Sequence, residues 1–158
     1  MQKKRTYIEV TSPEGYTVAA QLFKEYAIAI GINLGFQHFD EELASLATQY
    51  SRPEGGIFVV YNENLTEQGC IGIRKLGNGI CELKRMYVRK EARGSGTGKE
   101  LLQRAIALGV ELGYSKMRLD TLSSMENAIH LYETAGFYEI APYRYNPFAD
   151  AKFYELEL

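Results

Sequence analysis

Hydrophobic and polar positions change period several times along the chain, and each change marks an element. Thr6 to Val10 reads as a strand by residue type, and Pro13-Glu14-Gly15 ends it. Leu22, Tyr26, Ala29 and Ile30 then recur at helical spacing, predicting a helix over 18–33 that Gly35 stops. A second stripe (Phe39, Leu43, Leu46, Ala47, Tyr50) predicts a helix over 40–50. After the loop Pro53-Glu54-Gly55-Gly56, the unbroken apolar run 57–61 is short enough for a buried strand. Asn62-Glu63-Asn64 turns the chain into a strand near 69–76. Asn78-Gly79 is a strong hairpin signal, because both central positions of a type I′ turn need positive φ. Strand 80–88 should therefore pair antiparallel with strand 69–76. Leu101, Ala105, Leu108 and Leu112 make one face of a helix over 98–112, with Gly113 as its C-cap. Residues 116–121 form the next strand. Ser123-Ser124-Met125-Glu126 fits a capping box opening a helix over 124–135. Strands 137–140 and 152–158 close the chain, around a polar, proline-containing loop at 141–148.

Strand 80–88, helix 98–112 and strand 116–121 make a crossover unit, so its two strands should be parallel neighbours. The chain is thus α/β in class, and no repeat or linker divides it; residues 1–158 are expected to form one domain. With 46% hydrophobic and 24% charged residues it has an ordinary globular composition. A net charge of −2 gives no global electrostatic reason to bind nucleic acid or an anionic membrane. No apolar run is long enough to span a bilayer, and the basic start Met1 to Arg5 leads into Tyr7-Ile8-Glu9-Val10 and not into the apolar core of a signal peptide. The two cysteines, Cys70 and Cys81, fall in strands as small reduced core residues, and no metal-ligand cluster is present in the sequence. A cytoplasmic location is the expectation.

The candidate chemistry lies in Arg93-Gly94-Ser95-Gly96-Thr97-Gly98-Lys99, between a strand and a helix. Alternating glycines let a backbone approach a ligand closely, and the first amides of a helix attract anions, above all phosphate. The dinucleotide fingerprint fails here, because its third glycine would fall at Lys99. The nucleotide P-loop fails too: Arg93 takes its first glycine's place and Glu100 follows Gly98-Lys99. The spacing that fits is Arg-x-x-Gly-x-Gly from Arg93 to Gly98. Downstream, Asn127 opens a helix that runs through Leu131-Tyr132 to Gly136-Phe137. Together these two motifs resemble the GCN5-related N-acetyltransferases, across residues 81–139 and more loosely elsewhere.

The resemblance implies a mixed, mostly antiparallel sheet flanked by helices, whose central parallel strands splay to admit the pantetheine arm of acetyl-coenzyme A. Backbone groups of Met86, Tyr87 and Val88 would hold that arm. Amides of Gly94, Ser95, Gly96, Thr97, Gly98 and Lys99 would hold the pyrophosphate, with charge from Arg93 or Lys99, while Arg89 and Lys90 read as solvated cations. Asn127 would contact the cofactor arm, and Tyr132 would donate a proton to the sulfur as acetyl passes directly to a primary amine. Glu82 sits where several members place a general base, and equally could pair with Lys84 two residues on. On strict strand alternation Glu82, Lys84, Met86 and Val88 share one face, and Cys81, Leu83, Arg85 and Tyr87 the other. The acceptor, a small-molecule or peptide amine, would enter between residues 18–50 and 141–150, near Glu25, Tyr26, His38, Tyr143, Arg144 or Tyr145. His38 and Arg144 have surface readings as well. No nucleic acid, membrane or metal partner is implied, and either a monomer or a homodimer is open. Two other classes stay in view: a non-catalytic acyl-coenzyme A-binding module of the same fold, and a nucleotide-binding α/β domain.

Overall fold

The computed structural model describes residues 4–158 apart from Ile32, and their side chains apart from those of Phe36 and Gln37. Of the basic start Met1 to Arg5, Lys4 and Arg5 are therefore described, and Ile32, inside the expected first helix, lies outside the described residues. In chain order the elements are β1 (Arg5–Glu9), α1 (Pro13–Ile30), α2 (Phe39–Ala44), α3 (Leu46–Gln49), β2 (Gly56–Asn62), β3 (Glu67–Gly77) and β4 (Ile80–Val88). There follow α4 (Thr97–Glu111), β5 (Lys116–Leu122), α5 (Glu126–Thr134), β6 (Tyr138–Ile140) and β7 (Ala151–Glu157), with 3₁₀ turns at Leu34–Gln37 and Lys90–Ala92. The strands form one seven-stranded sheet in the order β1-β2-β3-β4-β5-β7-β6. All pairs are antiparallel except β4–β5, as the crossover through α4 requires.

Helices cover both faces. Leu101, Leu102, Ala105 and Leu108 of α4, with Ile129 and Tyr132 of α5, bury against Val60, Ile71, Ile73, Cys81, Leu83, Met117 and Leu119. Ala19, Leu22 and Phe23 of α1, with Leu46 and Tyr50, bury against Ile57, Val59 and Cys70 on the other face. Each fully buried leucine is worth ~1.5–3 kcal/mol, so the spacing seen in the sequence of α4 is what fixes that helix on the sheet. The apolar run in β2 is buried on both sides because its residues alternate between the two cores. Cys70 and Cys81 are buried free thiols, as expected.

Several boundaries differ from the sequence reading. Pro13 does not end the first strand segment but opens α1: the Ser12 hydroxyl caps the helix by accepting from the Gly15 amide at 3.0 Å, and proline suits the first turn. Gly31, at φ +67°, ends that helix before Gly35 is reached. The expected helix 40–50 is two short helices. Ser45 leaves helical geometry between them, and its hydroxyl donates back to the Glu41 carbonyl at 2.7 Å. The hairpin at Asn78-Gly79 is present, but only Gly79 has positive φ, and the β3–β4 register slips between Lys75 and Gly77. The turn is thus bulged and not type I′. The capping box is not formed: Met125 occupies the N-cap of α5, and the Ser123 hydroxyl bonds Asp150 at 2.9 Å.

Candidate active site

Two features of β4 build the site. The first is a β-bulge: Cys70 pairs with Tyr87 and Gly72 with Lys84, so Arg85 and Met86 together face Ile71. Arg85 takes φ +58° to do so. Strict alternation therefore fails beyond Lys84. Met86 and Val88 pack on the α4 side, the side of Cys81 and Leu83, while Tyr87 packs toward α1. Arg85 reaches Glu42 of α2 on that same side. The second feature is the splay. β5 pairs with β4 only at Ile80–Lys116, Cys81–Met117 and Glu82–Arg118. Beyond Glu82, β4 is paired with β3 alone, leaving backbone groups on its other edge.

The glycine loop faces this gap. Gly94 and Gly96 have φ of +79° and +86°, in the region that favours glycine, and Gly96 is the N-cap of α4. Gly98 serves packing instead: an added Cβ would stand 3.2 Å from Leu131 Cδ1. The loop is braced from outside by Arg5, whose guanidinium donates to the Ser95 carbonyl at 3.0 Å and to its hydroxyl at 3.2 Å. Arg93 Nε donates to the Val88 carbonyl at 2.8 Å, tying the loop to the end of β4. A cleft of about 640 Å³ runs along these elements. Met86, Tyr87, Val88, Arg93, Gly94, Gly96, Thr97, Gly98, Lys99 and Asn127 all line it, whereas Ser95 and Tyr132 do not. The row of loop amides at a helix start fits a pyrophosphate, and the open edge of β4 fits an extended arm bearing amides.

Tyr132 is buried in the α4-side core with its ring centroid 5.8 Å from that of Phe137. Burial, with Tyr26 and the Asp120 carboxylate adding to it, raises its phenol well above the ordinary value. The hydroxyl thus holds its proton at neutral pH. Glu82 is wholly buried and accepts from Tyr143 at 2.7 Å. It also pairs with Arg144 at 2.5 Å, Arg74 at 3.3 Å and Lys84 at 4.0 Å. Burial pushes this carboxyl up, but the neighbouring cations and the Tyr143 hydrogen bond outweigh it and leave it lowered. Glu82 is absent from the lining of the cleft. The network continues through Glu42, which Arg85 grips with bonds of 2.9 and 3.1 Å and Arg74 approaches to 3.6 Å.

Of the residues expected around the acceptor, Tyr26 lines the cleft. Glu25 is held by Arg89 at 2.7 Å, so Arg89 is not a merely solvated cation. Tyr143 and Arg144 are held by Glu82, Tyr145 is 75% exposed, and His38 is exposed. What sequence reading missed is Asp120, which with Lys84 and Asn146 lines a smaller cavity beside the cleft. One signal was available: Asp120 lies near the carboxyl end of a strand in a crossover unit, where open α/β sheets place ligands.

Comparison with known proteins agrees with this geometry. Residues 20–137 match the model of the acetyltransferase (GNAT) family. The chain is 37% identical over 150 residues to an uncharacterized N-acetyltransferase of Schizosaccharomyces pombe, covering 94% of this chain and 92% of that protein. It is 30% identical to an uncharacterized N-acetyltransferase of Dictyostelium discoideum, covering 87% and 92%. Among solved structures, an acetyltransferase of the GNAT family from Staphylococcus aureus superposes with a TM-score of 0.79 at 23% identity, covering 98% of this chain and 99% of that one. A splayed parallel pair at the sheet centre, a glycine loop at the head of α4 and the family match over most of the chain lead to one conclusion: this chain belongs to the GNAT acetyltransferase family.

Proposed function

We propose that the protein is an acetyl-coenzyme A-dependent N-acetyltransferase acting on a primary amine by direct attack in a ternary complex. The observation that carries this reading is the cleft itself, in which the free edge of β4 and the loop 93–99 meet Asn127 of α5. Acetyl-coenzyme A supplies the acyl thioester when bound. Backbone groups of Met86 to Val88 hold its arm, and the amides from Gly94 to Lys99, including that of Ser95, hold its phosphates. Lys99 adds charge at the loop, and Arg93 keeps the loop against β4. Asn127 orients the arm from the opposite wall. Tyr132 protonates the departing sulfur, its phenol holding its proton at neutral pH. Of the two roles open to Glu82, its four partners favour anchoring the 141–148 loop over accepting the amine's proton.

Thermal unfolding with acetyl-coenzyme A, ATP and NAD tests the reading. A ligand at 100 times its dissociation constant stabilises the native state by about 2.7 kcal/mol. A rise in melting temperature with acetyl-coenzyme A alone, followed by thiol release with amines, is expected. A rise with ATP or NAD alone would overturn the assignment of the loop. A rise with acetyl-coenzyme A but no thiol release across a broad amine panel would favour the non-catalytic module.

A further inference from the structure

The smaller cavity, of about 40 Å³, lies where β4 and β5 diverge, below Asn146 and Phe148 of the loop before β7. It adjoins the cleft through Tyr26, Ile30 and Met125, which line both. One water needs about 10–15 Å³, so about three such groups fit: the head of a small molecule, with the remainder extending toward the cleft. Three charged residues stand in its walls, Lys84 and Arg85 on β4 and Asp120 on β5, and the Arg85 guanidinium is gripped by Glu42. Lys84 is 3% exposed. Asp120 is half-buried and accepts from Asn146 Nδ2 at 3.3 Å.

Resting on the acetyl-transfer reading above, we propose that this cavity holds the head of a free amino acid, its carboxylate at Lys84 and its amine at Asp120, and that Asp120 receives the amine's proton. Three observations support this. A cavity walled by Lys84 and Asp120, with Arg85 beside them already engaged by Glu42, complements a head bearing both charges. The joined network is cationic among the described residues: Arg74, Lys84, Arg85 and Arg144 stand against Glu42, Glu82 and Asp120. A carboxylate-bearing acceptor suits this excess of positive charge, and the cluster reaches neutrality once the amine's proton has left Asp120 for solvent. The Asp120 carboxylate also adds to the upward shift of the Tyr132 phenol, so the two groups lie within electrostatic reach of each other. Burial pulls Lys84 down to about 8, with Glu82 and Asp120 among the groups opposing it, so it is mostly charged at neutral pH.

The proton balance closes without a further reactant. Asp120 takes one proton from the acceptor ammonium. The nitrogen bonds the acyl carbon as the carbon–sulfur bond breaks, and Tyr132 gives its proton to the sulfur. The nitrogen's second proton, lost as the amide forms, restores Tyr132, and the proton on Asp120 passes to solvent. One proton is released per amide made.

The test is thiol release with the common α-amino acids, each set beside its carboxamide, its decarboxylated amine and a dipeptide beginning with it, and with acetyl-coenzyme A binding measured separately. At least one amino acid should exceed its three analogues by about 10²-fold in kcat/KM, as expected when a built polar site is left unpaired. Lys84→Met should raise that amino acid's KM about tenfold, the loss of one charge-assisted hydrogen bond, with acetyl-coenzyme A affinity unchanged. Asp120→Asn should lower kcat and make turnover climb with pH as free amine becomes abundant. Melting curves check that both variants fold, and the comparison of acceptors on the unaltered protein stands without them. Equal or better turnover of an amide, amine or dipeptide overturns the proposal. So does failure of every amino acid on protein that binds acetyl-coenzyme A. Absence of acetyl-coenzyme A binding overturns the acetyl-transfer reading itself.

Discussion

Tyr132→Phe should slow turnover by about 10²–10⁴, the range for loss of a positioned proton donor, while leaving acetyl-coenzyme A affinity and melting temperature close to those of the parent. The substitution removes one hydroxyl and keeps the ring that packs beside Phe137. It therefore separates chemistry from structure. Burial and the Asp120 charge raise this phenol above its ordinary value, so the proton is present to be given at neutral pH. Without it, the departing thiolate must find a proton from solvent inside a cleft closed by β4 and α5. Steady-state rates with saturating acetyl-coenzyme A, together with a binding titration, check this. Unchanged kcat would remove Tyr132 from the mechanism, and a loss confined to KM for acetyl-coenzyme A would make it a binding residue.

Glu42→Gln should lower folding stability by about 3–5 kcal/mol, the cost of removing one partner of a buried ion pair. Glu42 is 1% exposed and is held through two bonds to Arg85, itself 5% exposed. Gln keeps the shape but removes the negative charge that the Arg85 guanidinium grips. The pH dependence follows in sign. Burial raises the Glu42 carboxyl, but Arg85, Lys84 and Arg74 outweigh that effect and hold it below its ordinary value of 4.5. Glu82 is shifted in the same direction. Their contribution is fully present above the ordinary carboxylate range and is lost as pH falls through the lowered folded values. Urea titrations should show the parent weakening below about pH 4.5, with a shallower acid slope in Glu42→Gln. A stability change below ~1 kcal/mol would mean the pair behaves like an exposed one.

The parts of the fold that were readable in the sequence are those written in local chemistry. The apolar run at 57–61 is short enough for a buried strand, and the alternating glycines from 94 to 98 read as a turn before a helix. Misreadings arose where tertiary contacts decide. Ser12-Pro13 carried a helix start, yet Pro13 and Gly15 in isolation read as breakers. Ser123 had the spacing for a capping box, but Asp150, distant in sequence, competes for its hydroxyl. The bulge at Arg85 has no glycine to announce it. Arg85 pays for its left-handed backbone with the bonds to Glu42, and that partner is found only in three dimensions. Asp120 was overlooked for the same reason: its significance is its place opposite Lys84, on a strand that diverges from β4.

The brevity of the β4–β5 pairing bears on how the molecule responds to force and heat. Backbone bonding between the β1–β4 leaf and the β5–β7 leaf is confined to the end near Ile80 and Lys116. Elsewhere the leaves are joined by side chains, chiefly beneath α4. The line of least resistance in the sheet therefore runs through the place where chemistry occurs, and partial openings of the native state should begin there. A ligand laid along β4 acts as a removable strand that stiffens this line while it is bound. Amides of β5 and β7, which never touch that ligand directly, should then exchange with deuterium more slowly when the gap is filled.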